Sequence, residues 1–300
     1  MNEKTGNSHP KSALRKASTV ILVRDNEQGQ LEVYLLRRSQ QSSFMPGLYV
    51  FPGGSLEPWD ENPGLPENGW DQPLPKVLER LGQGLTPRQA MAHLLAAIRE
   101  TFEEVGVLLA EERGWETQSS LSEKFSIQTR RFKDLLLGQD TRLQASRFST
   151  WAHWITPEAM PTRFDTRFYV AIHPYGQICM PDQVETTHGL WIRPMDALLG
   201  NYQARIPLSP PALVSLQELS QFRNLKELRI KAWDRGWGSP RVPRALRSPC
   251  GPMLLMPWDQ DYSSEEPGRG MHNTCIQYAN PLEPFSRLIW QDGIWRAVLP

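Results

Sequence analysis

The sequence predicts a protein of the α/β (α+β) class, and three observations support this. The runs STVILVRD and LEVYLLRR are rich in β-branched and apolar residues and flank NEQG at positions 26–29, which predicts an antiparallel hairpin. Residues 86–106 show helical periodicity between two recognisable helix ends. Further strands are predicted at FSTWAHWITP and RFDTRFYVAIHP, and the pattern turns helical from Pro194 onward.

Both ends of the predicted helix at 86–106 are encoded locally. Thr86 is followed by Pro87 and, three residues after the threonine, by Gln89, which makes a capping box with proline at the first helical position. Gly106 supplies the left-handed residue that ends many helices. The angular positions of the side chains between these ends are therefore defined.

The last two turns of this helix carry three glutamates on one side. At about 100° per residue, Glu100, Glu103 and Glu104 fall within an arc of about 100°, opposite an apolar face. Like charges at these spacings repel, and the negative end of the helix dipole disfavours them further. One interpretation is a solvated helix face. The other is a site for a hard divalent cation such as Mg²⁺, which binds carboxylates while it engages phosphates.

A second segment favours the metal interpretation. FMPGLYVFPGG at 44–54 predicts a short strand ending in a turn, where Gly53 and Gly54 allow a close approach of the backbone. Together, Gly54 and RETFEEVGV at 99–107 resemble the Nudix box, whose second half reads Arg-Glu-apolar-x-Glu-Glu-x-Gly-apolar. Thr101 stands where the family usually has an aliphatic residue. Arg99 follows Gly54 by 45 residues, so the box is split by an insertion.

The split box is similar to that of the Nudix branch that includes the peroxisomal coenzyme A diphosphatases. LLRRSQQSSFMPGLYVFPGG resembles the strand and turn before the box in that branch. Arg38 matches an arginine of its coenzyme A motif, and Ser43 stands where another arginine is expected. Asp60 holds the offset of the first glutamate of the box, with Glu57 and Glu61 nearby. The resemblance implies the Nudix fold, a mixed β-sheet sandwiched between helices.

The resemblance also implies a chemistry for these residues. Glu100, Glu103 and Glu104 are expected to hold Mg²⁺ or Mn²⁺, which would bridge diphosphate oxygens and activate water. Arg99 is expected to orient a carboxylate. Substrate contacts are expected from three residues, namely Arg38, Gly53 and Gly54.

Two candidates for the general base follow from the sequence: Glu100 and a further acid outside the box. Glu185, just before a final sheet strand, is the preferred further acid, with Asp165 and Asp182 as rivals. His93 and His188 are alternative bases, although a lone histidine is more often a structural or rim residue.

The predicted substrate is a small nucleoside diphosphate linked to another group. Coenzyme A or an acyl-coenzyme A is the first choice, because of the resemblance to the coenzyme A diphosphatase branch. The alternatives are an ADP-ribose or dinucleotide pyrophosphatase, since one metal site can serve many substrates, and a non-catalytic nucleotide-sensing module.

Composition limits the other partners. Lys and Arg (33) balance Asp and Glu (33), which gives no electrostatic footprint for nucleic acid. No apolar run approaches the ~18 residues of a membrane span, and the N-terminus lacks the apolar core of a signal peptide. The sequence has three cysteines, Cys179, Cys250 and Cys275, and no CxxC pair. We therefore expect a soluble, cytoplasmic protein without nucleic-acid or membrane partners, with a homodimer as one option.

The predicted organisation has three parts. Residues 1–16 are polar and predict a disordered tail. Residues 17–222 form the Nudix hydrolase domain, in which the Pro- and Gly-rich insertion at 55–85 lies near the active site with one short helix around 76–81. A helix is also predicted at 121–136. Residues 223–300 form a hairpin-rich C-terminal extension packed on the same domain, with a two-residue turn at Asp292-Gly293.

Overall fold

The computed structural model describes residues 13–65, 69–112, 132–136, 141–264 and 277–299. The predicted tail up to residue 12, most of the predicted helix at 121–136 and Cys275 lie outside these ranges. Within the described ranges no helix has the length and apolar character required to cross a bilayer.

The predicted N-terminal hairpin consists of β1 (Leu14–Asp25) and β2 (Leu31–Arg38), which pair antiparallel. The side-chain oxygen of Asn26 closes its turn by accepting hydrogen bonds from the amides of Gln28 and Gln30. Residues 14–16 belong to β1, which corrects the prediction of a tail over residues 1–16. They are drawn into the strand by parallel pairing with residues 163–165, a contact that local sequence does not encode.

The insertion is less irregular than its composition predicts. It contains a 3-10 turn, Pro58–Glu61, and helix α1, Leu74–Leu81. The long helix α2 follows at Pro87–Val105, within the predicted limits. Short elements occupy the rest of this half of the chain: β3 (Tyr49–Val50), β4 (Gly53–Ser55), β5 (Ala110–Glu112), α3 (Phe132–Leu136) and β6 (Thr141–Leu143).

The main sheet is completed by β7 (Phe148–Ile155), β8 (Arg163–Ile172) and β9 (Thr186–Ile192). Its order is β3-β2-β1-β8-β7, with β4 paired to β1 and β9 paired to β2. β1 and β8 run parallel, whereas the hairpin and β7–β8 pairs run antiparallel. The sheet is therefore mixed, and β4 and the start of β9 lie beside the strands that carry the candidate site residues.

Helices cover both faces of this sheet. On one face, Ile98 and Phe102 of α2 share a core cluster with Val20 of β1. On the other face, α4 (Pro194–Tyr202) and α5 (Pro210–Leu219) share a core cluster with Ile21 and Val23. Alternate residues of a strand point to opposite faces, so β1 serves both layers. The predicted mixed sheet between helices is confirmed.

The C-terminal part adds helix α6 (Leu225–Ala232) and an antiparallel four-stranded sheet. The strands of that sheet are β10 (Arg244–Ser248), β11 (Gly251–Leu255), β12 (Arg287–Gln291) and β13 (Ile294–Val298). Asp292 and Gly293 both have positive φ angles, 51° and 79°, as a tight two-residue hairpin requires. Leu254 and Leu288 join the same core cluster as α5, so this sheet covers the face opposite α2.

Candidate functional site

The register of α2 is set by its two ends. Thr86 Oγ1 accepts a hydrogen bond from Gln89 N at 3.3 Å, and Thr86 N donates to Gln89 Oε1 at 3.1 Å. At the other end Gly106 adopts a left-handed φ of 69° and donates its N–H to Phe102 O. The capping box and the glycine stop thus place the last two turns, and their carboxylates, against β4.

Arg99 is the most heavily bonded charged side chain of this region. Its side chain is 2% exposed, and Asp60 from the insertion is fully buried beside it. Nε donates to Asp60 Oδ1 at 3.1 Å and Nη2 donates to Asp60 Oδ2 at 2.9 Å, a bidentate arrangement. Burial lowers the pKa of Arg99, but the Asp60 hydrogen bond and the Glu100 charge outweigh burial and raise the pKa above its ordinary range. Arg99 therefore stays charged.

The other donors of Arg99 reach the strand and two of the glutamates. Nη2 also donates to Ser55 O at 3.0 Å. Nη1 donates to Glu100 Oε1 at 2.8 Å and to Glu103 Oε2 at 3.1 Å. One guanidinium thus connects the insertion, β4 and the acidic end of α2.

The two glycines of β4 allow the strand to meet the glutamates closely. Gly53 N donates to Glu104 Oε2 at 2.9 Å, and its φ of 153° is one that residues with a Cβ rarely adopt. A Cβ on Gly53 would lie 2.3 Å from Ser18 O. A Cβ on Gly54 would lie 2.4 Å from Glu100 Oε1. Both positions therefore require glycine for the observed packing.

Burial makes the carboxylates of α2 poor at carrying charge unaided. Glu104 is 6% exposed, and burial together with the Glu100 charge raises its pKa well above the ordinary value. Burial also raises the pKa of Glu100 to about 7 despite the opposing effect of Arg99, and Glu103 and Glu185 add to the increase. Burial raises the pKa of Glu103 as well. A cation near these groups would restore their charged forms.

The donor set fits a hard divalent cation. All three side chains offer carboxylate oxygens, the ligands that Mg²⁺ and Mn²⁺ prefer. Within the described part of the chain, however, no three His, Cys, Asp or Glu side chains already converge as an ion site. Glu100 and Glu103 turn toward Arg99 instead, while Glu104 turns toward Gly53. Each of these contacts to Arg99 uses only one oxygen of its carboxylate, so the second oxygen of Glu100 and of Glu103 could serve an ion.

The three candidates for the acid outside the box have different surroundings. Asp165 is paired with His153 Nε2 at 2.6 Å. Asp182 accepts hydrogen bonds from the amides of its own loop. Glu185 is exposed, and its charge contributes to the raised pKa values of Glu100 and Glu104, so it lies near both. Of the three, Glu185 is the exposed one, and its charge acts on the α2 glutamates.

The predicted substrate arginine lies at the end of β2. Arg38 Nε donates to Ser42 Oγ and Phe44 O, both at 3.0 Å, and its positive charge acts to lower the pKa of Glu104. Arg37 instead donates to Gly47 O at 3.2 Å. The neighbouring arginines thus have different surroundings, as expected for consecutive residues of a strand.

The two histidines considered as bases have different environments. His93 is buried, with Nδ1 3.0 Å from Ser18 Oγ, and burial lowers its pKa to about 4. It lies inside the protein in the first half of α2, against Ser18 of β1. His188 is exposed, with Nδ1 3.3 Å from the phenol oxygen Oη of Tyr49, and it pairs with Arg37 in the sheet.

Two contacts of the site have no signal in the sequence. Ser55 contributes a main-chain carbonyl to Arg99, which any residue could supply. Lys133 of α3 donates to Glu57 Oε2 at 3.2 Å and lies 5.3 Å from the ring centroid of Trp59. This contact ties α3 to the insertion beside Asp60, and it brings together segments more than 70 residues apart.

Comparison with known proteins identifies the family. The family model described as the NUDT19 Nudix domain matches residues 14–219. The chain belongs to this Nudix hydrolase family. The resemblance seen in Gly54 and residues 99–107 is thereby confirmed, as is the prediction of a Nudix enzyme. Nudix hydrolases generally use divalent metal ions and act on small nucleotide derivatives.

Relatives of this chain include two proteins named acyl-coenzyme A diphosphatase NUDT19. The Xenopus laevis protein is 26% identical over 319 residues, which cover 89% of this chain and 83% of the relative. The Homo sapiens protein is 27% identical over 268 residues, which cover 76% and 71%. A NUDIX hydrolase from Alicyclobacillus acidocaldarius superimposes with a TM-score of 0.60 at 22% identity, over 76% of this chain and all of that one. The superposition supports the Nudix fold.

Proposed function

We propose that this Nudix hydrolase cleaves the diphosphate of coenzyme A or an acyl-coenzyme A in a metal-dependent reaction. The observation that carries the proposal is the cluster of three glutamates at the end of α2. One of them, Glu104, is buried and accepts a hydrogen bond from Gly53 N, and Arg99 donates a hydrogen bond to Glu100. The names of the relatives, acyl-coenzyme A diphosphatases, support the choice of substrate. The products would be 3′,5′-ADP and a phosphopantetheine half.

Glu100, Glu103 and Glu104 would hold Mg²⁺ or Mn²⁺, which when bound supplies positive charge to the diphosphate oxygens and lowers the pKa of water. Arg99 keeps the metal-free carboxylates in place and, through Asp60, is itself held rigidly. The close approach of β4 at Gly54 leaves no side chain between the strand and Glu100. The site is therefore shaped before substrate arrives.

The reaction requires one proton to be removed from water. The oxygen of that water attacks one phosphorus atom of the diphosphate, the bond from this phosphorus to the bridging oxygen breaks, and two phosphate monoesters result. Glu185 or Glu100 would accept the proton: Glu100 belongs to the cluster, and the charge of Glu185 acts on Glu100. Arg38, whose charge acts on Glu104, would contact a phosphate of the substrate.

A substrate panel tests the proposal. The purified protein is incubated with Mg²⁺ and coenzyme A, acyl-coenzyme A esters, ADP-ribose, dinucleotides or capped RNA, and products are identified by mass. Glu104→Gln and the matched control Glu27→Gln, which alters an exposed glutamate in the β1–β2 turn, are assayed in parallel. We expect coenzyme A turnover that Glu104→Gln abolishes and Glu27→Gln retains.

The alternative outcomes are distinct. Turnover of ADP-ribose or a dinucleotide far above that of the coenzyme A compounds would replace the substrate but keep the reaction. Silence with every diphosphate, combined with measurable nucleotide binding, would favour the sensing module. Equal activity with and without a chelator would contradict metal dependence.

A further inference from the structure

The segment between β8 and β9 bridges two parts of the candidate site. At one end, Asp182 N donates to Glu104 O, a main-chain carbonyl of α2, at 3.1 Å. At the other end, Glu185 O accepts a hydrogen bond from Ser39 N at 2.9 Å, immediately after Arg38. The segment thus connects the end of the helix that bears the glutamates with the end of the strand that bears Arg38.

The carboxylate of Asp182 organises the turn between these attachments. Oδ1 accepts hydrogen bonds from Val184 N at 3.1 Å, from Thr186 N at 2.9 Å and from Thr186 Oγ1 at 2.9 Å. Oδ2 accepts a hydrogen bond from Glu185 N at 3.2 Å. Hydrogen bonds to a charged acceptor are the strong ones, and four of them converge on this one side chain.

The turn needs such support because its conformation is unfavourable on its own. Gln183 has a φ of 62°, in the left-handed region that non-glycine residues seldom occupy. Val184 is 80% exposed, so apolar packing does not hold the turn in place. Glu185 is exposed as well. The position of its side chain therefore depends on the main-chain hydrogen bonds that Asp182 accepts.

We propose that Asp182 is a positioning residue that holds the carboxylate of Glu185 beside Glu100 and Glu104. The inference rests on the proposed hydrolase function for its kinetic consequence, but the structural part stands on the turn alone. Asp182 is fully engaged with the amides of the turn and acts on the reaction only through Glu185. A separate main-chain hydrogen bond, from Asp182 N to Glu104 O, joins this turn to α2.

A double-mutant cycle tests the kinetic part. The variants are Asp182→Ala, Glu185→Gln and the combination, with Asp196→Ala as the control, since Asp196 is a half-exposed aspartate that pairs with Arg193 on α4. We expect Asp182→Ala to lower kcat by about 10- to 100-fold, as loss of a supporting group does at metal sites. In the Glu185→Gln background the same change should lower kcat less than twofold. Equal losses in both backgrounds would mean that Asp182 does not act through Glu185.

Hydrogen exchange tests the structural part without any turnover. In the metal-free protein, Asp182→Ala should speed exchange of the Val184, Glu185 and Thr186 amides at least tenfold, whereas Asp196→Ala should leave them unchanged. Asp182→Asn, which keeps one acceptor oxygen, should give an intermediate rate and decides the question if the alanine variant does not fold. Unchanged exchange in Asp182→Asn and Asp182→Ala would overturn the proposal. An inactive wild-type enzyme would overturn the proposed function instead, and exchange would still report on the turn.

Discussion

Arg99 and Asp60 form a buried, bidentate ion pair, with Nε 3.1 Å from Oδ1 and Nη2 2.9 Å from Oδ2. The pair joins the insertion to the last turns of α2, although the two residues are separated by 39 positions. Since Arg99 also holds Glu100 and Glu103, its own anchoring determines where those carboxylates lie. The insertion is therefore part of the site.

Asp60→Ala should strongly destabilise the protein. The substitution leaves the guanidinium of Arg99 buried without its main counter-charge, and removing one partner of a buried pair costs about 3–5 kcal/mol. Glu61→Ala is the matched control, because Glu61 forms an exposed pair with Arg88 whose loss should cost less than about 1 kcal/mol. Urea denaturation followed by circular dichroism measures both. Similar losses in the two variants would show that the Asp60 pair contributes no more than a surface contact.

Gly53→Ala should mainly lower stability, whereas Gly54→Ala should mainly lower kcat. At Gly53 an added Cβ meets Ser18 O and the positive φ adds strain, so stability should fall by about 1–3 kcal/mol. At Gly54 the added Cβ meets the flexible end of Glu100, so the carboxylate moves and kcat should fall on the order of 100-fold with a smaller loss of stability. Melting curves and steady-state kinetics separate the two effects. A Gly54→Ala enzyme with wild-type kcat would contradict a role for Glu100 in that position.

Glu104→Gln should stabilise the metal-free protein. The amide keeps an oxygen for the Gly53 N–H but removes a buried charge, and each kcal/mol gained raises the melting temperature by about 2–4 °C. The variant should lose the further stabilisation that Mg²⁺ or Mn²⁺ gives the wild type. Glu103→Gln, at a half-exposed position, is the control and should change the metal-free melting temperature less. A lower melting temperature for Glu104→Gln would indicate that this carboxylate is structural.

The C-terminal sheet should lose stability in acid through Asp259. Burial raises the pKa of this carboxyl, but hydrogen bonds from Arg287 and Ser286 outweigh burial and lower the pKa below its ordinary value. Because the folded-state pKa is the lower one, the associated stability is present above the unfolded-state pKa of about 3.9 and is lost as the pH falls through the folded-state pKa. Asp259→Asn should therefore lower the free energy of unfolding at pH 7 and flatten its decline below about pH 4. Parallel acid-dependent slopes for the variant and the wild type would contradict this.

Local sequence predicted the helix that carries the candidate site because the relevant signals are short. The capping box at Thr86 and the stop at Gly106 define the register of α2, and the register defines which side the glutamates occupy. The sequence did not single out the partner of Arg99, because Glu57 and Glu61 lie close to the offset that Asp60 holds; only the structure shows that Asp60 makes the bidentate contact. The mixed sheet followed from the family resemblance.

Contacts to main-chain groups account for what was missed. The start of β1 at Leu14 depends on parallel pairing with β8, some 150 residues away, and no local pattern encodes it. Asp182 was considered as a rival to Glu185, whereas its carboxylate holds the turn on which Glu185 lies. In both cases the decisive partners are main-chain groups, which look alike in every sequence.

The guanidinium of Arg99 acts as a built-in counter-ion for the acidic end of α2. Since it offsets part of the repulsion between Glu100 and Glu103, we expect folding not to require a metal, unlike that of small domains that unfold when their metal is removed. We expect a cation that binds these carboxylates to be repelled by this internal positive charge, so that its affinity is lower and its occupancy depends on the concentration of free divalent ions. A chelator should therefore switch the enzyme off reversibly and leave its architecture intact.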